Sequence, residues 1–305
     1  MHLITWSPGR PVAMSPSLRV ALPYLALGIG VLSLSMAGIF LKWANAPAPV
    51  ASFYRTAIAS IVVALPFALQ AKQRAPFAPR DLWYAVLAGL FFAGDLVLFA
   101  TAVLVIPAAN ASLFATTAPF WVGIGSMVLF KERLPSLFWG GLLLAFCGVF
   151  TIIGQDFLTH PVLGAADLLA LSAGCFYGLF FLATDQARRG LPSLITWWIA
   201  VTATAFASLV LCLVFQLPLT GYSLSAYLDF LGLALLTQVC GWIALNYAIG
   251  HLRASIVAAT LQLQPVVTAI IAVPLLGQPV TLTQIGGGAL VLIGIFIVHR
   301  SKTKG

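Results

Sequence analysis

The sequence contains one segment twice, 146 residues apart. When residues 102–150 are placed over residues 248–296 without a gap, ten positions are identical. A repeat of this length indicates two halves built on one plan. The shared glycines also permit close contact between helices, either within one chain or between two copies. The identical pairs are Ala102/Ala248, Ala108/Ala254, Pro119/Pro265, Ile124/Ile270, Leu129/Leu275, Gly140/Gly286, Gly141/Gly287, Leu144/Leu290, Gly148/Gly294 and Phe150/Phe296.

The composition excludes a soluble globular fold. Hydrophobic residues make up 61% of the 305 positions, charged residues make up 7%, and the mean hydropathy is +1.06. Soluble domains carry about 25% charged residues, so the apolar side chains of this chain require a bilayer around them. We therefore predict an all-α polytopic membrane protein. The net charge of +8 does not indicate a nucleic-acid partner, because the basic residues lie between apolar segments.

Ten apolar segments are long enough to cross a membrane, at about 20 residues per helix. Residues 1–19 form a proline-containing tail, which we assign to the cytoplasm. Five spans fall in a first repeat, residues 20–155, and five in a second repeat, residues 164–300. The predicted spans are residues 20–41, 49–70, 82–105, 108–130, 136–154, 165–185, 193–215, 227–249, 254–275 and 282–299.

Nearly all basic residues lie at one side of the predicted bundle. Thirteen lysines and arginines fall in the tails, in the even-numbered loops or at the span ends beside them, and only Lys42 falls in an odd-numbered loop. Positively charged loops remain in the cytoplasm. We therefore predict cytoplasmic N- and C-termini and a location in the inner (cytoplasmic) membrane.

The two repeats are predicted to be inverted, because each contains an odd number of helices. Residues 131–133 read Lys-Glu-Arg after the fourth helix, whereas the equivalent residues 277–279 read Gly-Gln-Pro after the ninth. Before the ninth helix the charge appears as Arg253, where the first half has Pro107. Secondary transporters use inverted repeats to build a midplane site that opens alternately to either side.

The first repeat also carries a motif of residues that points to a family. Pro119 in the fourth helix precedes the Lys-Glu-Arg-Leu turn at 131–134, and Gly140 and Gly148 follow in the fifth helix. In this pattern the chain resembles the EamA repeat of the drug/metabolite transporter superfamily over residues 20–300, and within that superfamily the YddG-type exporters of aromatic amino acids. The resemblance implies ten helices in two tandem repeats. It also implies export of small amphipathic metabolites, with amino acids, especially aromatic ones, as the first expectation.

Polar and aromatic side chains recur every three or four residues in several predicted spans, which places them on one helix face. Such a face either lines a path or packs against another helix, and the pattern leaves both interpretations open. Carboxamides are costly in hydrocarbon unless they meet a partner or water, so those in the second half favour protein or cavity surroundings. The predicted substrate-path residues are Asn110, Phe114, Thr117, Tyr177, Phe181, Gln238, Trp242, Asn246, Gln262 and Gln264.

Two charged side chains lie deep in predicted spans. Arg55 is about 9 Å into the second helix, and Asp95 is about 20 Å into the third from the other face, so both reach similar depths. A lone charge at such a depth costs about 3 kcal/mol or more, which favours mutual pairing. The pair is either a structural salt bridge or a proton-coupling group, and the sequence does not separate the two hypotheses.

Other chemistries lack the residues they need. The four histidines lie in tails, loops or helix ends, which leaves a serine nucleophile without a buried base. The four cysteines show no metal-ligand spacing. We therefore predict a protein that is not an enzyme and holds no metal or cofactor. Its expected partners are a small-molecule substrate and the lipid bilayer, with a homo-oligomer left open.

Two alternatives to a transporter stay open. Gly94-Asp95 is similar to a fragment of an intramembrane aspartyl-type enzyme. A channel or scramblase on the same fold would share the helices and the repeat. The leading prediction is a secondary active transporter that exports its substrate by alternating access at the interface between the repeats.

Overall fold

The computed structural model of the chain describes residues 16–72, 77–103, 114, 116–153, 164–276 and 281–301. This described part is helical and contains no β-strand, so the all-α prediction is confirmed for it. We number its ten main helical segments in chain order. They are α1 (Pro16–Ser35 and Ala37–Ala44), α2 (Ala48–Lys72), α3 (Pro79–Val103), α4 (Ala118–Leu129), α5 (Ser136–Ile153), α6 (Ala165–Gly190), α7 (Ser193–Val214), α8 (Leu224–Gly232, Leu233–Gly241 and Trp242–Ile249), α9 (Ala254–Thr260, Leu261–Leu263 and Gln264–Leu276) and α10 (Leu282–Arg300).

Eight of these segments, α1 to α3 and α6 to α10, are long and apolar enough to cross a membrane. The other two are apolar but shorter, with 12 residues in α4 and 18 in α5. Helix α4 was predicted from residue 108, but residues 104–113 lie outside the described part of the chain. The predicted count of ten spans therefore stays a prediction.

Helix α5 crosses α10 with its backbone in direct contact with the partner helix. A Cβ atom built on Gly141 would lie 2.7 Å from the carbonyl oxygen of Gly294, and one built on Gly148 would lie 2.5 Å from that of Gly287. Only glycine allows helix axes to approach this closely. The residue number rises along α5 as it falls along α10, so the two helices run antiparallel.

Interhelical hydrogen bonds connect α7 to its neighbours α2 and α3. The hydroxyl of Thr204 donates to the carbonyl of Gly89 in α3 at 3.0 Å. Trp198 donates its indole N–H to the carbonyl of Ser60 in α2 at 3.0 Å, and the Ser60 and Thr202 hydroxyls lie 2.7 Å apart. Each bond satisfies a polar group that hydrocarbon would leave without a partner.

Helix α9 changes geometry where it enters the middle of the bundle. Pro265 has no N–H to donate to the carbonyl of Leu261, four residues earlier. The chain responds with a 3₁₀ turn at Leu261–Leu263, in which the Gln264 N–H donates to that carbonyl instead. The irregular turn positions Gln262 and Gln264 beside the central cavity described below.

Helix α8 also departs from regular α geometry over a long stretch. Residues Leu233–Gly241 form a π-helix between two α-helical parts. Its hydrogen bonds run from residue i to residue i+5, which widens each turn and rotates the following side chains relative to an α-helix. π-Helical segments are frequent at functional sites.

Candidate functional site

A cavity of about 540 Å³ opens between helices from both halves of the chain. Its walls come from the C-terminal parts of α1 and α3, the start of α4, the end of α5, the middle of α6, residues 258–269 of α9, and the start of α10. The lining thus extends from the middle of the bundle toward one end. The lining residues are Leu34, Ser35, Ala37, Gly38, Asp95, Leu96, Phe99, Thr116, Ala118, Pro119, Ile152, Tyr177, Phe181, Ala258, Leu261, Gln262, Gln264, Pro265, Thr268, Ala269 and Gln284.

Gln262 supplies a polar group with spare hydrogen-bonding capacity. The side chain is 3% exposed, and its amide nitrogen donates to the carbonyl of Thr116 at 3.5 Å. Its carbonyl oxygen is buried and has no hydrogen-bond partner. An unpaired buried acceptor costs about 1–3 kcal/mol, so a ligand N–H or O–H at this position would recover that energy.

Asp95 places a carboxyl group in the cavity wall. Among the described residues that line the cavity, it is the only acid. Tyr177 lies close enough to interact with it electrostatically and also lines the cavity. The wall therefore combines one carboxyl group, a phenol and carboxamides with the aromatic faces of Phe99 and Phe181.

Arg55 lies behind this wall in α2. The guanidinium is buried, interacts electrostatically with Asp95 and Tyr177, and keeps its Nε without a hydrogen-bond partner. No nitrogen of Arg55 lies within 4 Å of an oxygen of Asp95. The two charges thus neighbour each other without a direct salt bridge in this conformation, and both remain candidates for ion pairing or coupling.

An aromatic cluster fills the interior next to the cavity. Trp242 is 3% exposed and stacks on Trp197 with the ring centroids 5.2 Å apart. Phe180 meets Trp242 edge to face at 5.0 Å, and Phe92 does so at 5.2 Å. Tyr177 belongs to both groups, because it lines the cavity and lies 6.3 Å from Trp242. The cluster therefore borders the cavity at Tyr177.

Charged residues from the two halves lie close together at the turn between α4 and α5. Glu132, in the turn between α4 and α5, interacts electrostatically with Arg253 at the start of α9 and with Asp185 and Arg189 at the end of α6. Burial raises the pKa of the Glu132 carboxyl, while Arg253 lowers it, Asp185 raises it and Arg189 lowers it. An oxygen of Glu132 and a nitrogen of Arg253 are buried without hydrogen-bond partners.

The structure brings five of the predicted site residues to the cavity. Those that line it are Asp95, Tyr177, Phe181, Gln262 and Gln264. Asn110 lies outside the described residues. The predicted residues that are described but do not line the cavity are Arg55, Phe114, Thr117, Gln238, Trp242 and Asn246.

The eighth-helix residues among them are buried in the bundle. Asn246 donates its amide to the carbonyl of Trp242 at 2.9 Å, and its own backbone carbonyl accepts from Arg188 at 2.6 Å. The side-chain oxygens of Gln238 and Asn246 have no partner. Their place on a substrate path stays a prediction.

Sequence reasoning missed several lining residues. Ser35, Thr116 and Gln284 gave no periodic signal of their own, because each lies near a helix end or beside an irregular turn. Phe99 lies four residues after Asp95, so the same helix face could have identified it. Thr268 lies four residues after Gln264, on the polar face that the sequence predicts for the ninth helix.

The long apolar helices and the cavity between them define a multi-pass helical membrane protein. A model of the EamA-like transporter family matches residues 21–154 and, a second time, residues 164–300. The chain belongs to the EamA-like transporter family.

Similar proteins agree with this assignment. The chain is 28% identical to the uncharacterized transporter YdfC of Bacillus subtilis (strain 168) over 261 residues, which cover 83% of this chain and 82% of the relative. An uncharacterized transporter of Archaeoglobus fulgidus is 27% identical over 198 residues, 63% of this chain and 68% of the relative. One crystal structure shares the fold with a TM-score of 0.75 at 17% identity, over 93% of this chain and 98% of that one.

Proposed function

We propose that the protein is a secondary active transporter that exports small amphipathic metabolites by alternating access between its two repeats. We infer amino acids, and aromatic ones especially, as its substrates. The observation that carries this proposal is a cavity between helices of the two halves that is lined by polar and aromatic side chains and borders a buried aromatic cluster.

The glycine contacts support an inverted relation between the repeats. With the offset of 146 residues, Gly141 corresponds to Gly287 and Gly148 corresponds to Gly294. When the two repeats are exchanged, the contact of Gly141 with Gly294 therefore becomes the contact of Gly287 with Gly148. Equivalent helices that run antiparallel across a pseudo-twofold axis are expected of inverted repeats, and such halves can rock between two related packings.

The cavity wall supports a zwitterionic aromatic substrate. The cavity volume of about 540 Å³ lies within the usual range for small-molecule sites, about 300–1,000 Å³. The free oxygen of Gln262 suits an ammonium group, and Phe99 and Phe181 suit an aromatic ring. Among its described residues the lining contains one acid rather than the two carboxyl groups of an aspartyl-type enzyme.

Counterflow in proteoliposomes tests the transport proposal. Vesicles loaded with one unlabelled amino acid from a panel should take up the labelled form transiently above its equilibrium level, with saturable kinetics. A channel or scramblase would show neither saturation nor counterflow, and an enzyme would convert the substrate without moving it. Either result would overturn the proposal.

Replacement of Gln262 by leucine should separate transport from stability. The change removes a hydrogen bond to a charged substrate group, worth about 1.5–3 kcal/mol, so counterflow should fall about 10- to 100-fold. The melting temperature should hold or rise, because a buried acceptor without a partner is removed. Gln70→Leu, the same change in α2, is the matched control, because the Gln70 side-chain oxygen is also buried without a partner but lies outside the cavity lining; this variant should transport normally. Equal transport by both variants would remove Gln262 from the site.

Cysteine labelling tests the proposed ten spans and their orientation. In a variant whose four native cysteines are replaced by alanine, Ala75→Cys and Gly305→Cys should react with a membrane-impermeant maleimide only from the cytoplasmic side. Thr159→Cys should react only from outside, because five spans precede it in the proposed topology and the positive loops stay in the cytoplasm. Labelling of residue 159 and of the C-terminus from the same side would contradict the inverted arrangement.

A further inference from the structure

A second concavity, a groove of about 520 Å³, lies at the end of the bundle opposite the cavity opening. Helices α3 and α6 form its sides, and the C-terminal end of α4 with the residues after it forms its third wall. The proposed transport site does not use it. The lining residues are Arg80, Tyr84, Leu87, Phe91, Leu129, Phe130, Lys131, Leu179, Leu182, Ala183, Gln186 and Arg189.

Three cations from three different segments meet at the mouth of this groove. Arg80 begins α3, Lys131 follows α4, and Arg189 ends α6, so all three lie at the same end of the bundle. Among the described residues that line the groove there is no acid. Asp185, which does not line the groove, forms a salt bridge with Arg189 at 3.2 Å between nitrogen and oxygen. It therefore partly neutralises one of the three positive charges.

Aromatic rings support two of the cations. The guanidinium of Arg80 lies 5.6 Å from the ring centre of Tyr84, and that of Arg189 lies 4.9 Å from that of Phe130. Stacking on a ring face leaves the edge of a guanidinium group free for two parallel hydrogen bonds to an oxyanion such as a phosphate. Lys131 has a left-handed backbone conformation, with φ of 55°, in the turn that follows α4.

Polarity falls steadily from the mouth of the groove to its floor. On α3 the lining runs Arg80, Tyr84, Leu87 and Phe91, a single helix face that extends about 16 Å at 1.5 Å per residue. On α6 it runs from Arg189 to Leu179 over about 15 Å. One leaflet of the hydrocarbon core is about 15 Å thick, so each side of the groove spans one leaflet.

We propose that this groove binds one anionic glycerophospholipid from the cytoplasmic leaflet. The cations hold its phosphate, and an acyl chain lies along the apolar floor. A soluble anion would need the charged mouth alone, whereas the apolar faces of α3 and α6 continue for the depth of a leaflet. Basic pockets between helices at the cytoplasmic side suit anionic headgroups.

Lipid binding by purified protein in nanodiscs tests the proposal. The probes are dioleoyl phosphatidylglycerol and, as the neutral counterpart, dioleoyl phosphatidylcholine. The groove variant combines Arg80→Gln, Lys131→Gln and Arg189→Gln. Its matched control combines Lys72→Gln, Arg133→Gln and Arg300→Gln, which removes the same number of arginines and lysines at described positions outside the groove lining.

Native mass spectrometry should find phosphatidylglycerol retained on the wild type and on the control. On the groove variant its retention should fall about tenfold or more, because each Lys or Arg near an anionic surface contributes about 1 kcal/mol of attraction. Phosphatidylcholine retention should be low and equal in all three. Equal loss of phosphatidylglycerol from both variants would reject a specific site in the groove, because it would show that the total positive surface charge retains the lipid.

Two further arms separate a lipid from a soluble anion and from misfolding. Inorganic phosphate and sn-glycerol-1-phosphate, each at millimolar concentration, should leave lipid retention unchanged; displacement by either would assign the mouth to a soluble anion and reject the lipid. The double variant Arg80→Gln with Lys131→Gln leaves the Arg189–Asp185 pair intact and should lose an intermediate amount of lipid. Full retention by a double variant that melts like the wild type in phosphatidylcholine would reject the proposal.

Discussion

Asp95→Asn is expected to abolish accumulation driven by a pH gradient while leaving exchange of substrate across the membrane. The carboxyl group is the only acid among the described lining residues of the cavity, so a proton coupled to transport has one acceptor there. With one proton per substrate, a gradient of one pH unit supports about tenfold accumulation. In the variant the accumulation ratio should fall to about one, as measured in proteoliposomes with an imposed gradient.

The structural hypothesis for Asp95 predicts a different outcome. Removal of one partner of a buried salt bridge costs about 3–5 kcal/mol. Because Arg55 and Asp95 make no direct contact within 4 Å, we expect Asp95→Asn to destabilise the protein by less than this amount. Under the structural hypothesis the double variant with Arg55→Gln should regain most of the lost stability and accumulate substrate fully; under the coupling hypothesis it should regain the stability and still fail to accumulate substrate.

Asp229→Asn is the matched control for the coupling experiment. Asp229 lies in the first turns of α8, outside the cavity lining, so its removal should change neither accumulation nor exchange. A rescued Arg55→Gln/Asp95→Asn protein with full pH-driven accumulation would reject a coupling role for Asp95 and leave it as a structural group.

Helix positions and the repeat could be read from the sequence because both depend on local hydropathy. The predicted limits of the second span, residues 49–70, differ from Ala48–Lys72 of α2 by one and two residues. About 20 apolar residues are needed to cross a bilayer wherever they stand in a chain. Which face of each helix is turned toward the cavity depends on the neighbouring helices, and the hydropathy of the sequence does not encode it.

Helix α8 shows the physical reason for this limit. Gln238, Trp242 and Asn246 are four residues apart and share a face only if the helix is α-helical throughout. Gln238 lies in the π-helix Leu233–Gly241, whose wider turns shift that register, and Trp242 begins the next α-helical part. In α9 the 3₁₀ turn before Pro265 brings Gln262 to the cavity, although α-helical spacing does not align it with Gln264.

The adjacent glycines of α5 show the same limit at a single position. Sequence comparison of the repeats treats Gly140 and Gly141 alike, since both recur as Gly286 and Gly287. In the structure a Cβ atom on Gly140 would meet nothing within 4 Å, whereas one on Gly141 would lie 2.7 Å from the backbone of α10. Only the packed bundle distinguishes the exposed glycine from the buried one.

Gly141→Ala and Gly148→Ala are therefore expected to destabilise the protein strongly, while Gly140→Ala should not. The added methyl group at residue 141 or 148 would clash with backbone atoms of α10, which cannot move aside as a flexible side chain can. Overpacking costs about 1–3 kcal/mol where side chains yield, so we expect at least that loss here. Thermal unfolding in detergent, followed by tryptophan fluorescence and size-exclusion chromatography, measures it.

Gly140→Ala provides the control on the same helix. Alanine favours the helix over glycine by about 0.5–1 kcal/mol, so this variant should melt at or slightly above the wild-type temperature. Gly294→Ala, on the other side of the crossing, should match Gly141→Ala, because each built Cβ atom meets the backbone of the other helix. A Gly141→Ala protein as stable as Gly140→Ala would contradict the backbone contact between α5 and α10, and with it the packing that supports the inverted repeats.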